Sequence, residues 1–454
     1  MGAFAPTSIL KGFPFEGCWF YFSIEDERGI MKFLLEPSET KVTSQQTIKE
    51  ENIKSLFNLV KNNEQISRAG LVRKTKLSPT TVSILVDELL QANLLIETGL
   101  GSSDMPGRKP INLRVCADGR QIPVFSLSRW GVHYTLYDLE LNEIETCFVE
   151  HLSDQYGGFH SSSESDPDSG NDYCELIYDI FMNKAKNIDS RKVAAVCITF
   201  PGIYLEAEQM LSYSAMHVSI KSDAIKLLES KLSLPVFFGN SSMCMAYAEK
   251  NTLSRMGREV RDLLYINVTD GVGAGIVYNN QVIMGSDHSA GEIGHVSIDY
   301  NGKPCPCGNH GCLEQYINTD AIKSAARKIL AEQHCSAAAG ALQGRANSVT
   351  LENIAEAYDN GVEAIRDLLK NTAKMLYAGI NSAVCITGIK QVVLGGDIER
   401  LGTGFFNELQ QQSKENGNSF LMKDVLISYA MSGSKGDSIG VAEYFMENQL
   451  TSFL

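Results

Sequence analysis

Apolar residues recur with a helical period between residues 46 and 61. One helical face would carry five of them: Ile48, Ile53, Leu56, Phe57 and Val60. We expect the ammonium groups of Lys54 and Lys61 to be solvated. This helix opens a predicted unit at residues 46–118. Residues 1–45 show no clear periodicity and form an N-terminal extension, and Met31 is an alternative start that would make residues 1–30 an upstream addition.

Two shorter helices and a hairpin complete this unit. Ser67 is the predicted N-cap of the second helix, and Ser78 with Pro79 begins the third. The inward positions of the third helix are apolar: Val82, Leu85, Val86, Leu89 and Leu90. A strand, a tip rich in Gly, Ser and Pro, and a second strand follow, which is the outline of a β-wing.

Beyond residue 119 the pattern changes to alternating helices and strands. Strand-rich residues 121–150 come first, and buried strands such as VAAVCITF and DLLYINVT then alternate with helical segments. This alternation predicts an α/β body over residues 119–454. Two polar segments, residues 157–172 and 335–348, are predicted to be surface insertions.

Composition excludes several classes of protein. The chain has 454 residues, of which 44% are hydrophobic and 21% are charged. These values argue against a disordered or collagen-like chain, and no run approaches the ~20 apolar residues that span a bilayer. No secretory signal is convincing, and most of the eleven cysteines lie in apolar runs. We therefore expect a cytoplasmic protein with buried free thiols and no membrane partner.

The charge is unevenly distributed. Residues 46–115 contain ten basic and seven acidic residues, a net charge of +3. Because the whole chain has a net charge of −14, the rest of the chain has a net charge of −17. An acidic body argues against a protein that coats nucleic acid along its whole surface, but it leaves room for one basic module.

The basic unit is similar to a winged helix-turn-helix that binds double-stranded DNA. A helix fits the major groove and its N-terminal residues reach base edges. The candidate residues on the third helix are Ser78, Thr80, Thr81 and Ser83. Phosphate contacts would come from Arg73, Lys74 and Lys76, with Arg108 and Lys109 at the wing tip. The alternative is a small helical docking module with a solvated basic face.

A second motif, HSAGEIGHVSIDYNGKPCPCGNHGCLEQY at residues 288–316, carries metal chemistry. It supplies one nitrogen and three sulfurs from His295, Cys305, Cys307 and Cys312, a standard ligand set for structural Zn²⁺. Gly308 and Gly311 would let the loop turn tightly. Four protein ligands leave no open position, so a structural metal is predicted. We expect His310 to be exposed, and three unliganded thiols are the alternative.

This motif resembles the ROK family, which contains sugar kinases and sugar-responsive repressors, and the likeness extends from about residue 48 to the C-terminus. The resemblance implies an actin-like, sugar-kinase-like body of two α/β lobes around a cleft. It assigns sugar contacts to Asn240, Glu292, His295 and Glu314. Without the family, Asn240 is interpreted as a turn residue at a strand end and Glu314 as a solvated helix start.

Departures from the kinase pattern argue against phosphotransfer. Where ROK kinases carry Asp-x-Gly-Gly-Thr, this chain has SLSRW at residues 126–130, so that Arg129 and Trp130 stand where a phosphate needs close backbone approach. Ser241 stands in place of the catalytic Asp and has no useful basicity. In the glycine-rich loop at residues 269–275, Asp270 would repel nucleotide phosphates.

The sequence therefore predicts a DNA-binding transcriptional regulator without enzymatic activity. We expect a repressor of carbohydrate uptake or catabolism genes that binds its operator as a homodimer or homotetramer. A sugar or phosphosugar in the cleft would release the DNA, although a related branch is controlled by a transport-system protein instead. The first alternative is an active sugar kinase with an accessory DNA-binding head, and the second is a protein-binding scaffold that has lost both DNA and sugar recognition.

Overall fold

The computed structural model describes ten stretches of the chain. They are residues 32–33, 45–63, 65–100, 111–150, 169–205, 210–213, 218–285, 288–332, 349–416 and 420–454. Three predicted segments lie outside the described residues. They are almost all of the N-terminal extension, the wing tip with Arg108 and Lys109, and the second polar insertion. The first polar insertion also lies outside the described residues up to residue 168.

Three helices and a small sheet form the N-terminal unit, called the head below. The helices are α1 (Gln45–Lys61), α2 (Arg68–Thr75) and α3 (Pro79–Gln91). The strands β2 (Ile66–Ser67), β3 (Leu95–Leu100) and β4 (Ile111–Val115) pair antiparallel in the order β2-β4-β3. Two predicted caps are confirmed, because Ser67 accepts the Gly70 N–H and Ser78 accepts the Thr81 N–H.

The first lobe is built on a six-stranded sheet in the order β1-β12-β8-β5-β6-β7. Its strands are β1 (Lys32–Phe33), β5 (Ile122–Ser128), β6 (Gly131–Tyr137), β7 (Glu143–Glu150), β8 (Val196–Phe200) and β12 (Val236–Asn240). Neighbours among β1, β12, β8 and β5 run parallel, whereas β5, β6 and β7 form an antiparallel meander. The central strand β8 is buried along its whole length, as expected when a parallel strand is covered on both faces.

Helices and a second, smaller sheet complete this lobe. The helices are α4 (Ser169–Asp179), which continues as a π-turn, α5 (Ser222–Leu232) and α6 (Ser241–Arg255). The small antiparallel sheet consists of β9 (Ile203–Leu205), β10 (Met210–Tyr213) and β11 (Val218–Lys221).

The second lobe has a five-stranded sheet in the order β15-β14-β13-β16-β17. Its strands are β13 (Leu263–Val268), β14 (Val272–Tyr278), β15 (Gln281–Ile283), β16 (Gln391–Gly396) and β17 (Leu426–Tyr429). The remaining helices are α7 (Glu314–Ile317), α8 (Thr319–Glu332), α9 (Leu351–Asp359), α10 (Glu363–Thr387), α11 (Gly402–Asn416) and α12 (Gly436–Asn448). Helix α12 returns to the first lobe and packs against α6. In the part of the chain that is described, no helix is both long and apolar enough to cross a membrane.

The head shares its hydrophobic core with the first lobe. Leu56 and Phe57 of α1 belong to the same cluster of buried side chains as Val441 and Phe445 of α12. Four of the five predicted apolar positions on α1 are buried, but Ile48 is 45% exposed because it lies in the first turn, before the helix reaches the lobe. The core therefore joins head and body instead of separating them.

The Lys61 side chain is only 12% exposed at this junction, and the expectation that it is solvated is wrong. Its Nζ lies 2.7 Å from Glu443 and 2.6 Å from Glu447 of α12. Arg255 at the end of α6 lies 2.8 Å from the same Glu443 carboxylate, which is 1% exposed. Burial opposes ionisation of Glu443, but the Lys61 and Arg255 cations outweigh it and lower the pKa of this carboxyl.

Candidate functional site

Residues 295–312 bring the four predicted metal ligands together. The ligand atoms of His295, Cys305, Cys307 and Cys312 all lie within 4.8 Å of one another. Cys305 Sγ is 3.7 Å from His295 Nδ1, and Cys307 Sγ is 3.7 Å from Cys312 Sγ. Zn–S bonds of about 2.3 Å in a tetrahedron separate two sulfurs by about 3.8 Å, so the spacing fits that geometry. The cluster could hold a metal ion.

Two glycines shape this loop. Gly308 and Gly311 have φ of 90° and 68°, a region that favours glycine, and a Cβ on Gly311 would lie 1.7 Å from the Asp299 carbonyl oxygen. His310 is exposed, as expected, and does not belong to the cluster. The backbone conformation that gathers the thiols therefore depends on the absence of side chains at these two positions.

The imidazole of His295 faces two groups at once. Its Nδ1 points at the thiols, whereas Nε2 lies 3.9 Å from Glu292 Oε2. One residue can therefore hold a metal with one nitrogen and face the Glu292 carboxylate with the other. Burial raises the pKa of Glu292, and the neighbouring Glu314 raises it further, while His295 acts in the opposite direction.

Glu314 and Asn240 are both fixed by backbone hydrogen bonds. Glu314, at the start of α7, is 8% exposed, and its Oε2 accepts the Val272 N–H at 2.9 Å. The interpretation of Glu314 as a solvated helix start, which was made without the family, is therefore wrong. Asn240 ends β12 and caps α6 by accepting the Met243 N–H at 3.2 Å, while its Nδ2 donates to the Gly202 carbonyl oxygen. The turn role proposed for Asn240 from the residues alone is thus present. Both side chains are held in fixed orientations.

Arg129 crosses from one lobe to the other. It lies in the β5–β6 hairpin of the first lobe, and its Nε is 2.8 Å from Asp270 Oδ2 in the β13–β14 turn of the second. Its Nη1 is 3.0 Å from Asp320 of α8. The guanidinium also stacks on Trp130, with 4.4 Å between Cζ and the ring centroid. Within the described residues, this is an ion-pair cluster of two carboxylates and one guanidinium that joins the two sheets.

Asp270 therefore has an internal partner, which sequence analysis missed. The glycine-rich turn that would receive phosphates in a kinase is directed at a guanidinium of the same chain. Thr319 Oγ1 donates to Asp270 at 3.2 Å. Burial and the nearby Asp320 raise the pKa of Asp270, whereas Arg129 acts to lower it. The sequence did contain a signal: Arg129 and Asp270, the two charged residues at the predicted phosphate positions, have opposite charges.

The basic and hydroxyl side chains predicted for the head lie on its surface. Arg73, Lys74, Lys76, Ser78 and Thr80 are exposed. Thr81 is half-buried, and its hydroxyl lies 2.8 Å from that of Ser78. Ser83 differs from the others, because its Oγ and carbonyl oxygen both accept hydrogen bonds from Arg68 at 3.1 and 3.2 Å. Arg108 and Lys109 lie outside the described residues.

The geometry defines a class: a sugar-kinase-like, two-lobed α/β body fused to a basic helical head. The profile of the ROK family matches residues 163–447, which is more than half of the chain. The chain belongs to the ROK family, and the resemblance drawn from the sequence is confirmed.

Relatives and solved structures agree with this assignment. The xylose repressor of Caldicellulosiruptor bescii is 27% identical over 80% of this chain and 87% of its own length. The DNA-binding transcriptional repressor Mlc of Escherichia coli is 21% identical over 87% of this chain and 93% of its own.

The fold is shared with both branches of the family. The crystal structure of a ROK family transcriptional regulator, a homolog of E. coli Mlc, has a TM-score of 0.70 at 24% identity and covers 88% of this chain and 97% of that one. A ROK family glucokinase from Streptomyces griseus, solved with glucose and AMPPNP, has a TM-score of 0.58 at 19% identity over 71% and 98% of the two chains.

Proposed function

We propose that this chain is a sugar-responsive DNA-binding transcriptional regulator, a repressor of carbohydrate uptake or catabolism genes. The observation that carries the proposal is the Arg129–Asp270 ion pair, at 2.8 Å, in the turn where a kinase would receive phosphates. A nucleotide would have to separate these charges before it could bind. The curated relatives named above are repressors, which supports a regulator without enzymatic activity.

The head, at residues 46–118, is the proposed winged helix-turn-helix. Helix α3 would enter the major groove with Ser78, Thr80 and Thr81 near base edges, and Arg73, Lys74 and Lys76 would neutralise phosphates. Ser83 takes part less directly, because its oxygens already accept from Arg68. Arg108 and Lys109 remain proposed wing contacts.

The body, at residues 119–454, is the proposed sensor. Asn240, Glu292, His295 and Glu314 would pair with sugar hydroxyls, since carboxylates and an amide are suited to that task. Zn²⁺ would be held by His295 and the three cysteines and would fix the loop that joins Glu292 to Glu314. A dimer would place two heads on a palindromic operator.

Electrophoretic mobility shift with the chain's own promoter region tests the DNA-binding function. We expect a shifted fragment whose affinity falls at least about tenfold between 50 and 200 mM salt. The double variant Arg73→Ala with Lys76→Ala should weaken binding to all sequences alike, whereas Lys226→Ala, an exposed basic residue of the body, should not. Absence of any bound fragment at low salt would overturn the proposal.

An active sugar kinase is the competing function, and a coupled ATPase assay decides it. The protein is incubated with ATP, Mg²⁺ and a panel of hexoses and pentoses. We expect no sugar-dependent turnover, because Ser241 cannot act as the base that deprotonates the attacking hydroxyl. Robust turnover with any sugar would contradict the regulator function without enzymatic activity.

A further inference from the structure

Helix α3 presents one large apolar side chain to solvent. Ile84 is 53% exposed, although the inward face of the same helix is almost completely buried. Those inward residues, between 0 and 4% exposed, are Val82, Leu85, Val86 and Leu89. Thr80, one helical turn before Ile84, is also exposed. Thr80 and Ile84 therefore form the outward stripe at the N-terminal half of α3.

The polar residues that flank Ile84 are already engaged. Arg68 donates to both oxygens of Ser83 and lies 2.7 Å from Asp87 and 3.1 Å from Glu97 of β3. The Ser83 oxygens are used by these bonds, and Asp87 and Glu97 share the Arg68 guanidinium. Beside these engaged groups, Ile84 presents an exposed hydrocarbon side chain.

The surroundings of this stripe favour DNA as its occupant. Arg73, Lys74 and Lys76 lie exposed immediately before α3, and the head has a net positive charge on an acidic chain. Exposed basic side chains and an apolar contact on the same small unit are together complementary to the major groove, where phosphates flank the 5-methyl group of thymine. Isoleucine can make an apolar contact with that methyl group but no hydrogen bond to a base edge.

We propose that Ile84 contacts a thymine 5-methyl group and thereby determines a thymine preference at one position of each half-site. The inference rests on the proposed DNA-binding function of the head. Removing one buried methyl group from the interface should lower affinity roughly fourfold. The test therefore requires DNA in which only that methyl is changed.

Deoxyuridine, which is thymidine without the 5-methyl group of its base, provides the probe. Duplexes bound by the full-length protein are first selected from a random library. Each thymine of the selected site is then replaced singly by deoxyuridine, and affinity is measured by fluorescence anisotropy. We expect one thymine per half-site at which the replacement weakens wild-type binding roughly fourfold. The Ile84→Ala variant should bind the thymine duplex more weakly and show no further loss with uracil there.

Ile48→Ala is the matched control, because Ile48 is 45% exposed but lies on α1. It should retain the uracil effect in full. Thermal unfolding of both variants should match that of the wild type, since both side chains are exposed. If Ile84→Ala binds and responds to uracil as the wild type does, the inference is wrong while the DNA-binding function stands. If the wild type binds no duplex at low salt, the proposed function itself fails.

Discussion

At the scale of single residues, the sequence predicted that Cys305 and His295 belong to one metal cluster, but it did not predict the orientation of the His295 ring. The cysteine spacing and the nearby histidine were sufficient to nominate a metal cluster, because four soft ligands within eighteen positions can converge through a glycine loop. The sequence did not show that Nδ1 of His295 faces the thiols while Nε2 faces Glu292. It depends on the ring orientation, which the folded loop sets.

Replacing Cys305 by Ser should release the metal from the proposed site. A hydroxyl is a poor zinc ligand, so we expect the zinc content per chain to fall from near one to near zero and the thermal unfolding midpoint to decrease. The measurement is elemental analysis of purified protein with a parallel melting curve. Cys385→Ser, at an exposed free thiol, is the control and should keep its metal. Undiminished zinc in Cys305→Ser would exclude the assignment.

At the scale of elements, α1 and α12 connect the head to the body through buried charge. Lys61 joins Glu443 and Glu447, and Tyr247 of α6 donates its hydroxyl to the same Glu447. Asn58 donates to the Glu447 carbonyl oxygen at 2.9 Å. A rotation of α1 relative to α12 would break several of these bonds together, so the head is oriented by the body.

Lys61→Met should therefore destabilise the protein by about 2–4 kcal/mol, because it leaves Glu443 with Arg255 alone and Glu447 with the electrostatic attraction of Lys54 alone. Chemical denaturation measures the change. Lys49→Met is the control: Lys49 pairs with Glu88 at 2.9 Å, but its side chain is 51% exposed, so a loss below about 1 kcal/mol is expected. Adding Glu443→Gln to Lys61→Met should recover part of the loss. If Lys61→Met and Lys49→Met lower the free energy of unfolding equally, burial of the Lys61 ion pairs contributes nothing to stability.

The helices and caps of the head were predictable because they depend on neighbours in sequence. Ser67, Ser78 and Pro79 act within three residues of their own positions, and the apolar spacing of α3 gave its inward face. Lys61 was misassigned because its partners lie 382 and 386 positions away, and no local pattern encodes such a pairing. The contact of Ser83 with Arg68, fifteen positions earlier, was not foreseen for a similar reason, and the DNA contact of Ser83 stays a prediction.

At the scale of the whole molecule, the sequence singled out Arg129 and Asp270 as departures from the kinase pattern but did not show that they contact each other. Arg129 and Asp270 were interpreted separately, as a steric block and as a source of repulsion. In the folded chain each neutralises the other across the two lobes, and Asp320 adds a second carboxylate. The two lobes are thus held by a contact internal to the chain, and we expect their relative position to depend on it.

Arg129→Glu should open the lobes, because it sets a third carboxylate against Asp270 and Asp320. Small-angle X-ray scattering should show a larger radius of gyration, and Trp130 fluorescence, recorded in a Trp19→Phe background, should change as the stacked guanidinium is lost. Adding Asp270→Arg restores opposite charges across the same gap and should return both signals toward the wild type.

Arg191→Glu, at a fully exposed position on the first lobe, controls for net charge and should leave the scattering unchanged. The side chains are 22–51% exposed, so a stability change of only about 1 kcal/mol is expected. Wild-type scattering and fluorescence in Arg129→Glu would mean that the lobes are held together by their hydrophobic cores alone.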